Sequence, residues 1–254
     1  MDQRGSTARK LSNVIRRARQ HPAWLGETVR GKIRARADLK RPFSLRDHQE
    51  HLVDGQGAVT AAYGIGPEAY ESLQRRVRIP PGRDDAPWSG GDILDLAGVV
   101  VLLTRPKVVV ETGVAMGYTT AVVLAAMQDN DSGTLHSIDL PPLQVDAPSF
   151  IGQVVPTELR TRWTLHLGPT RTLLSPLASS VAPIDVFVHD SDHSYAGQHE
   201  DFRRVWPHLR RGGTFICDDV CNPAFIEFAA EVGERPLLIA PPGQPAAVGL
   251  ITKS

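Results

Sequence analysis

The stretch Lys107-Val-Val-Val-Glu-Thr-Gly-Val-Ala-Met-Gly117 decides the fold of this chain. Its opening β-branched run is typical of a strand that is buried in a parallel sheet. Gly113 and Gly117 bracket the loop that follows, and the apolar segment at residues 118–127 predicts a helix. A strand, a glycine loop and a helix in this order predict one βα unit of an α/β domain.

The chain on both sides of this unit alternates predicted strands with predicted helices. Further strands are predicted at residues 134–139, 163–167, 184–190, 213–218, 237–240 and 247–252. Helices are predicted at residues 67–77, 93–103, 195–209 and 223–232. Strands separated by helices form βαβ units with right-handed crossovers. We therefore predict an α/β domain at residues 88–254, with a seven-stranded, mostly parallel sheet and helices on both faces.

The N-terminal extension, residues 1–87, differs in composition from the rest. Residues 1–42 hold twelve Lys and Arg against three Asp and Glu, although the whole chain has 28 of each sign. Two apolar stripes here predict two basic amphipathic helices. The stripes are Leu11, Val14, Ile15 and Ala18, then Leu25, Val29 and Ile33. We expect a helical extension whose basic arm, residues 1–42, joins subunits into a homo-oligomer or closes over the active site. The alternatives are a solvated arm, a transit peptide, and a surface that meets anionic lipid or nucleic acid, although we expect no nucleic-acid partner.

The composition also bears on the compartment. No apolar run approaches the roughly 20 residues that span a bilayer, so we expect no transmembrane segment. The N-terminus lacks the apolar core and the cleavage site of a secretory signal. The two cysteines, Cys217 and Cys221, are too few for a disulfide framework, and their spacing is not that of a usual zinc pair. These features predict a cytoplasmic protein.

Acidic residues stand at the ends of four predicted strands, where an open parallel sheet binds its ligands. They are Glu111, Asp139, Asp190 and the pair Asp218 and Asp219. A sheet that serves only as a scaffold does not need an acid at the tip of four strands. The repetition therefore predicts a polar ligand site along this edge of the sheet.

The glycine loop and Asp139 together point to a nucleoside ligand. Gly113 allows a sharp turn, and Gly117 has no side chain where a ligand would approach the backbone. Amides at the start of the next helix could receive a carboxylate, and Asp139 could accept hydrogen bonds from both ribose hydroxyls. A tight turn and a helix cap are the alternative roles. The middle glycine of the dinucleotide pattern G-x-G-x-x-G is absent, which argues against an NAD-dependent oxidoreductase.

Four segments carry a family resemblance. They are Glu111-Thr-Gly-x-x-x-Gly117, Ile138-Asp139, His189-Asp-Ser-Asp-His-Ser-Tyr195 and Arg211-Gly-Gly-Thr-Phe-Ile-Cys-Asp-Asp219. Together they resemble the class I methyltransferases, which have a Rossmann-like fold and use S-adenosylmethionine. Within that class the chain is similar to the small-molecule O-methyltransferases of natural-product and sugar pathways. The resemblance covers residues 88–254.

The resemblance implies which residues contact the cofactor. These residues are Glu111, Gly113, Gly117, Asp139, Gly168, Ser89 and Gly90. The first three would line the methionine end of S-adenosylmethionine, and Asp139 would hold the ribose. Gly168 matches the position that contacts the edge of the adenine ring in this family. Ser89 and Gly90 stand where related enzymes add a further contact to the methionine part.

The acidic cluster resembles the ligand set of the magnesium-dependent O-methyltransferases, with Asp190, Asp218 and Asp219 as the three metal ligands. Magnesium would lower the pKa of a substrate hydroxyl and align it with the sulfonium methyl. Metal-free relatives carry a similar stretch, in which Asp190 would instead contact the cofactor amine. The candidate general bases are His193, whose intrinsic pKa suits the task, and Asp192, whose position matches that of metal-dependent relatives.

The expected function is therefore S-adenosylmethionine-dependent O-methylation of a small-molecule hydroxyl, on a natural product or a sugar, with magnesium assistance. One competing hypothesis is a metal-free N- or O-methyltransferase that uses Asp192 or His193 as the base. A second is an NAD-dependent oxidoreductase, against which the missing middle glycine argues. A third is a binding module that keeps the cofactor site without catalysis, and the intact acidic cluster argues against it.

Overall fold

The strands form one mixed sheet. The computed structural model describes residues 14–16, 18–38, 40–82, 93–140, 142–143, 147–240 and 246–254, and its sheet has eight strands. They are β1 (Leu52–Val53), β2 (Val108–Thr112), β3 (Thr134–Asp139), β4 (Trp163–Leu167), β5 (Ile184–His189), β6 (Leu209–Val220), β7 (Leu237–Ile239) and β8 (Ala247–Thr252). Their order is β1-β7-β8-β6-β5-β2-β3-β4, and β8 alone runs antiparallel to its neighbours. The predicted Rossmann-like, mostly parallel sheet is confirmed, and β1 adds an eighth strand to it.

Helices cover both faces of this sheet, as predicted. The α-helices of eight residues or more in the described ranges are α1 (Pro22–Asp38), α2 (Gly55–Tyr63), α3 (Pro67–Gln74), α4 (Ile93–Thr104), α5 (Tyr118–Asn130), α6 (Thr170–Val181), α7 (Tyr195–Val205) and α8 (Ala224–Val232). Helices α4 and α5 pack on one face, and α6, α7 and α8 pack on the other. None of the helices in the described ranges has the length and apolarity that crossing a membrane requires.

Burial of both faces explains why the central strands are so rich in β-branched residues. Successive side chains of a strand point to opposite faces. Val109 accordingly lies in the core beside α4 and α5, whereas Val110 lies in the core beside α6, α7 and α8. Val188 and Phe187 of β5 divide in the same way. Because both layers exclude water, the polar ends of these strands become the place where ligands can bind.

Part of the N-terminal extension completes the sheet. Leu52 and Val53 pair in parallel with Leu238 and Ile239 of β7. Helix α2, which the sequence pattern does not predict, follows at once; the side chain of Asp54 caps its first turn. Ala58 and Val59 of this helix are fully buried in the core beside α4. The segment from β1 to α3 therefore shares the core of the α/β domain.

Helix α6 is also absent from the sequence-based prediction. Pro176 lies inside it, and proline removes a backbone donor and disfavours a helix interior. Leu174, Leu177 and Ala178 are buried against the sheet, so tertiary packing stabilises a helix that the local pattern does not indicate. The first residues of this helix line the ligand cleft.

Candidate active site

A deep cleft lies at the carboxyl ends of β2, β3, β5 and β6 and has a volume of about 990 Å³. The described residues that line it include Gly113, Asp139, Asp190, Asp218 and Asp219. The prediction that a polar ligand site follows this edge of the sheet thus agrees with the position of the cleft. The far wall is formed by α1, from the basic arm.

Two backbone segments approach so closely at position 113 that only glycine fits there. The φ of Gly113 is 86°, in the left-handed region that favours glycine. A Cβ at this position would lie 1.7 Å from the carbonyl oxygen of Asp190. The chain can therefore turn here only without a side chain, and the turn brings the glycine loop against the end of β5.

Gly117 serves a neighbouring turn and is not among the residues that line the cleft. It begins α5 with a φ of 95°, and a Cβ there would lie 2.8 Å from the Cα of Gly152. The amides of Gly152 and Val154 donate hydrogen bonds to the carbonyls of Ala115 and Met116. This turn braces the glycine loop from behind, and a direct contact between Gly117 and the cofactor remains a prediction.

Asp139 anchors the glycine loop. Its carboxylate oxygen Oδ2 accepts hydrogen bonds from the backbone nitrogens of Val114, at 2.8 Å, and Ala115, at 2.7 Å. Burial raises the pKa of Asp139, and the two amide hydrogen bonds oppose that shift. The residue lines the cleft, so a ligand there would meet the second carboxylate oxygen. This geometry suits the predicted ribose contact, and it adds a scaffolding role that the sequence does not reveal.

Glu111 lies beneath the loop and outside the set of cleft-lining residues. It is fully buried, and its Oε2 accepts hydrogen bonds from the hydroxyls of Thr120, at 2.8 Å, and Ser137, at 2.6 Å. Burial raises its pKa to about 7. The predicted contact with the methionine end of the cofactor is therefore not evident in this arrangement.

The other predicted cofactor positions divide into two groups. Gly168 donates its backbone N–H to the carbonyl of Asp139, at 2.8 Å, and the next three residues, 169–171, line the cleft. Gly168 thus lies beside the cleft wall, and its contact with the adenine stays a prediction. Ser89 and Gly90 fall outside the residues that the structure describes.

The acidic cluster forms where β5 and β6 end side by side. Asp190 shares a hydrogen bond with Asp218, and burial together with the charge of Asp218 raises the pKa of Asp190 well above its usual range. Asp219 has a φ of 48°, uncommon for a residue with a side chain, at an irregularity in the pairing of β6 with β8. Strained backbone of this kind is often found at functional sites.

The magnesium site predicted at the three carboxylates stays a prediction. Within the described ranges, no group of three or more His, Cys, Asp and Glu side chains is arranged to hold a metal ion. Asp190 and Asp218 are hydrogen-bonded to each other, whereas the Oδ2 of Asp219 lies 4.0 Å from the Nε2 of His193. The chemistry of the donors would suit magnesium, but their arrangement does not support it.

His193 lies between two of these carboxylates. Its Nε2 is 3.6 Å from the Oδ1 of Asp190 and 4.0 Å from the Oδ2 of Asp219, and its side chain reaches the cleft. Burial lowers the pKa of His193, which favours the neutral imidazole. A neutral imidazole beside carboxylates can accept a proton from a ligand in the cleft.

Asp192, the other candidate base, is engaged by two partners. Its Oδ1 accepts a hydrogen bond from the backbone nitrogen of Ser194, at 3.1 Å, and its Oδ2 lies 3.4 Å from the guanidinium of Arg34. These contacts fix the turn before α7 and hold the carboxylate against a cation. The structure thus makes Asp192 a less suitable proton acceptor than His193.

Two buried amides that the sequence pattern does not single out join the loops of the site. Asn222 donates to the carbonyl of His193 and to the Oε1 of Gln198, each at 2.9 Å. Gln198 in turn lies 3.4 Å from the carbonyls of Asp218 and Asp219. Asn222 also caps the turn that leads into α8, a signal visible in the sequence, whereas nothing in the sequence marks Gln198.

Helix α1 is held across the cleft by ion pairs at two places. Glu27 lies 2.9 Å from the guanidinium of Arg171, at the start of α6. Arg34 lies 2.7 Å from the Oε1 of Glu200, on α7. Closure over the active site, one of the two roles predicted for the arm, agrees with this position. Contact with a second subunit remains a prediction.

Comparison with known proteins agrees with the fold. Residues 110–220 match a family model described as a methyltransferase domain. The O-methyltransferase TomG of Streptomyces achromogenes, involved in tomaymycin synthesis and solved with S-adenosylmethionine, is 16% identical with a TM-score of 0.52. An O-methyltransferase of Bacillus cereus, solved with S-adenosylhomocysteine, is 13% identical with a TM-score of 0.51. In both cases the match covers 78% of this chain and 96% of the other. No curated protein matches.

The fold and its cleft define an α/β protein of the class I methyltransferase type. Residues 110–220 match a methyltransferase domain, and this match together with the fold supports an S-adenosylmethionine-dependent methyltransferase. This assignment disfavours the hypothesis of an NAD-dependent oxidoreductase.

Proposed function

We propose that this enzyme transfers a methyl group from S-adenosylmethionine to a hydroxyl oxygen of a small molecule. One observation carries the proposal. The loop anchored by Asp139 and the cluster that contains His193 both line the same cleft of about 990 Å³. The loop would hold the cofactor and the cluster would hold the methyl acceptor. A natural product or a sugar is the proposed acceptor, since a wall of carboxylates and guanidinium groups offers partners for several hydroxyls.

The cofactor would lie along the glycine loop. The second oxygen of Asp139 would accept hydrogen bonds from the ribose, while its first oxygen keeps the loop in place. Residues 169–171 would flank the adenine, and the amino acid part would lie in the cleft over Gly113 and the end of β5. Binding in this way directs the sulfonium methyl toward the acidic cluster.

His193 would act as the general base. As the acceptor oxygen forms its bond to the methyl carbon, the bond from that carbon to sulfur breaks, and the hydroxyl proton passes to His193. S-adenosylhomocysteine leaves as the neutral thioether. The imidazolium that forms would be stabilised by the carboxylate of Asp219, whose Oδ2 lies 4.0 Å from the Nε2 of His193. No step of this scheme passes through a metal ion, so the proposal follows the metal-free hypothesis.

The test combines two histidine variants with a chelator. Transfer to a panel of phenols and sugar derivatives is followed by release of S-adenosylhomocysteine. We expect His193→Ala to lower turnover by about 100-fold or more, the usual effect of losing a general base, with cofactor affinity nearly unchanged. His199→Ala, on α7 beside Glu231 and outside the cleft lining, is the matched control and should retain turnover.

Chelation distinguishes the two schemes. Enzyme treated with a chelator and dialysed should keep its turnover. If turnover is lost and magnesium restores it, the base scheme is wrong and the three carboxylates act as metal ligands after all. If no acceptor in a broad panel is methylated although S-adenosylhomocysteine binds, a hydroxyl of these classes is not the substrate.

A further inference from the structure

Helix α1 presents its apolar side to solvent. A surface helix normally buries its apolar stripe and exposes its polar face. Here Leu25, Val29 and Ile33 follow one another at intervals of four residues and are 39%, 49% and 63% exposed. No residue of α1 is buried. The side that faces the protein carries Glu27, Thr28 and Arg34, so the usual arrangement is reversed.

The acidic residues of α1 lie on a different side of the helix from Lys32 and Arg36. Its two acids both face the protein: Glu27 pairs with Arg171, and Asp38 accepts a hydrogen bond from the backbone nitrogen of Tyr195. Lys32 and Arg36 are exposed and, by helical spacing, lie next to the apolar stripe. The outward face therefore combines an apolar stripe with cations and has no acid.

A second copy of the chain fits this face poorly. In a two-fold contact between α1 helices, Lys32 and Arg36 of one helix would lie near Lys32 and Arg36 of the other, which is a repulsive arrangement. A head-to-tail contact would need an apolar counterpart elsewhere. Beyond α1, the large apolar side chains exposed in the described part of the chain are only Ile15 and Leu167.

We propose that the outward face of α1 docks on an anionic lipid surface. Leu25, Val29 and Ile33 would enter the headgroup region, and Lys32 and Arg36 would contact lipid phosphates. Amphipathic helices with an apolar side and flanking Lys and Arg bind membranes in this way. Because the opposite side of α1 lines the cleft, docking would place the cleft wall close to the lipid headgroups.

The test measures sedimentation of the full chain with vesicles. We expect binding to vesicles of equal phosphatidylcholine and phosphatidylglycerol, little binding to phosphatidylcholine alone, and weaker binding as salt is raised. Leu25→Ser/Val29→Ser/Ile33→Ser and Lys32→Glu/Arg36→Glu should each reduce the affinity by about 10-fold or more. Arg75→Glu/Arg76→Glu, at the end of α3, is the charge-matched control and should bind as the unmodified chain does.

Several outcomes would overturn the proposal. Absence of binding to the anionic vesicles is one, and equal loss of binding in the α3 control is another. Light scattering at rising protein concentration provides the third. If the chain forms a dimer that the triple serine variant abolishes, and vesicles do not bind, a second copy covers the stripe. Circular dichroism of each variant confirms that it is folded.

Discussion

The side-chain amide of Asn222 donates a hydrogen bond of 2.9 Å to the backbone carbonyl of His193. The same amide reaches Gln198, and the Oδ1 of Asn222 accepts from the backbone nitrogen of Ala224. Asn222 is buried, so each of these bonds is made away from bulk water. The loop after β6 thereby holds the loop after β5, and with it the proposed base, at one position over the strand ends.

The first prediction separates positioning by Asn222 from its capping role. Asn222→Ala leaves buried polar groups without partners and should lower the free energy of unfolding by about 1–3 kcal/mol. Asn222→Asp keeps an acceptor for Ala224 but cannot donate to His193. We therefore expect Asn222→Asp to lose stability as well, because its buried carboxylate would face two acceptor oxygens, and to lose turnover at least about 10-fold in the folded fraction, while S-adenosylhomocysteine affinity of that fraction is unchanged. Wild-type turnover in a folded Asn222→Asp variant would show that the bond to His193 does not position the base.

The second prediction concerns the two roles of Asp139. Asn can still accept both loop amides through its single oxygen, but its amide nitrogen would replace the oxygen that faces the cleft. Asp139→Asn should keep the melting temperature near that of the wild type and weaken S-adenosylhomocysteine binding by about 10- to 100-fold. Asp139→Ala should lose both stability and binding. Calorimetry that finds unchanged affinity in Asp139→Asn would refute the ribose contact.

The third prediction follows from the buried carboxyl of Glu111, whose pKa is raised from 4.5 to about 7. Below about pH 4.5 the group is protonated in both the folded and the unfolded state. Between pH 4.5 and 7 the unfolded state ionises while the folded state keeps its proton, so stability falls as pH rises and levels off above pH 7. Over this window Glu111 should cost about 3 kcal/mol.

Glu111→Gln tests this pH dependence, since Gln can accept the same bonds from Thr120 and Ser137 without titrating. Relative to the wild type, the variant should gain about 3 kcal/mol in unfolding free energy between about pH 5 and pH 8, measured by urea denaturation. A difference between the two proteins that stays constant across this range would mean that Glu111 is ionised when folded.

The fourth prediction addresses the attachment of α1. The pair of Arg34 and Glu200 is only partly exposed, and a pair of this kind contributes about 0.5–1 kcal/mol. Arg34→Ala should therefore raise hydrogen exchange of the backbone at residues 22–38 by about two- to fivefold. Arg171→Ala should act similarly at the other end of the helix. If exchange in α1 is unaffected by both changes, contacts other than these ion pairs hold the helix.

The sequence by itself predicts the fold of the domain well. β-Branched runs such as residues 107–112 predict buried strands, because both faces of the sheet exclude water. The alternation of these strands with helices predicts a parallel sheet. The strand-tip acids follow from the same logic, since the carboxyl ends of neighbouring parallel strands meet at one edge. Asp139, Asp190, Asp218 and Asp219 do line one cleft.

Tertiary structure alone decides how those residues are used. The 2.9 Å bond from Asn222 to His193, and the engagement of Asp192 by Arg34, join segments far apart in the chain. No local pattern records such contacts. Helical periodicity shows that Leu25, Val29 and Ile33 share one side of a helix. It does not show whether that side packs against the protein or is exposed to solvent. Orientation and partnership depend on packing between distant elements, and only the folded chain determines them.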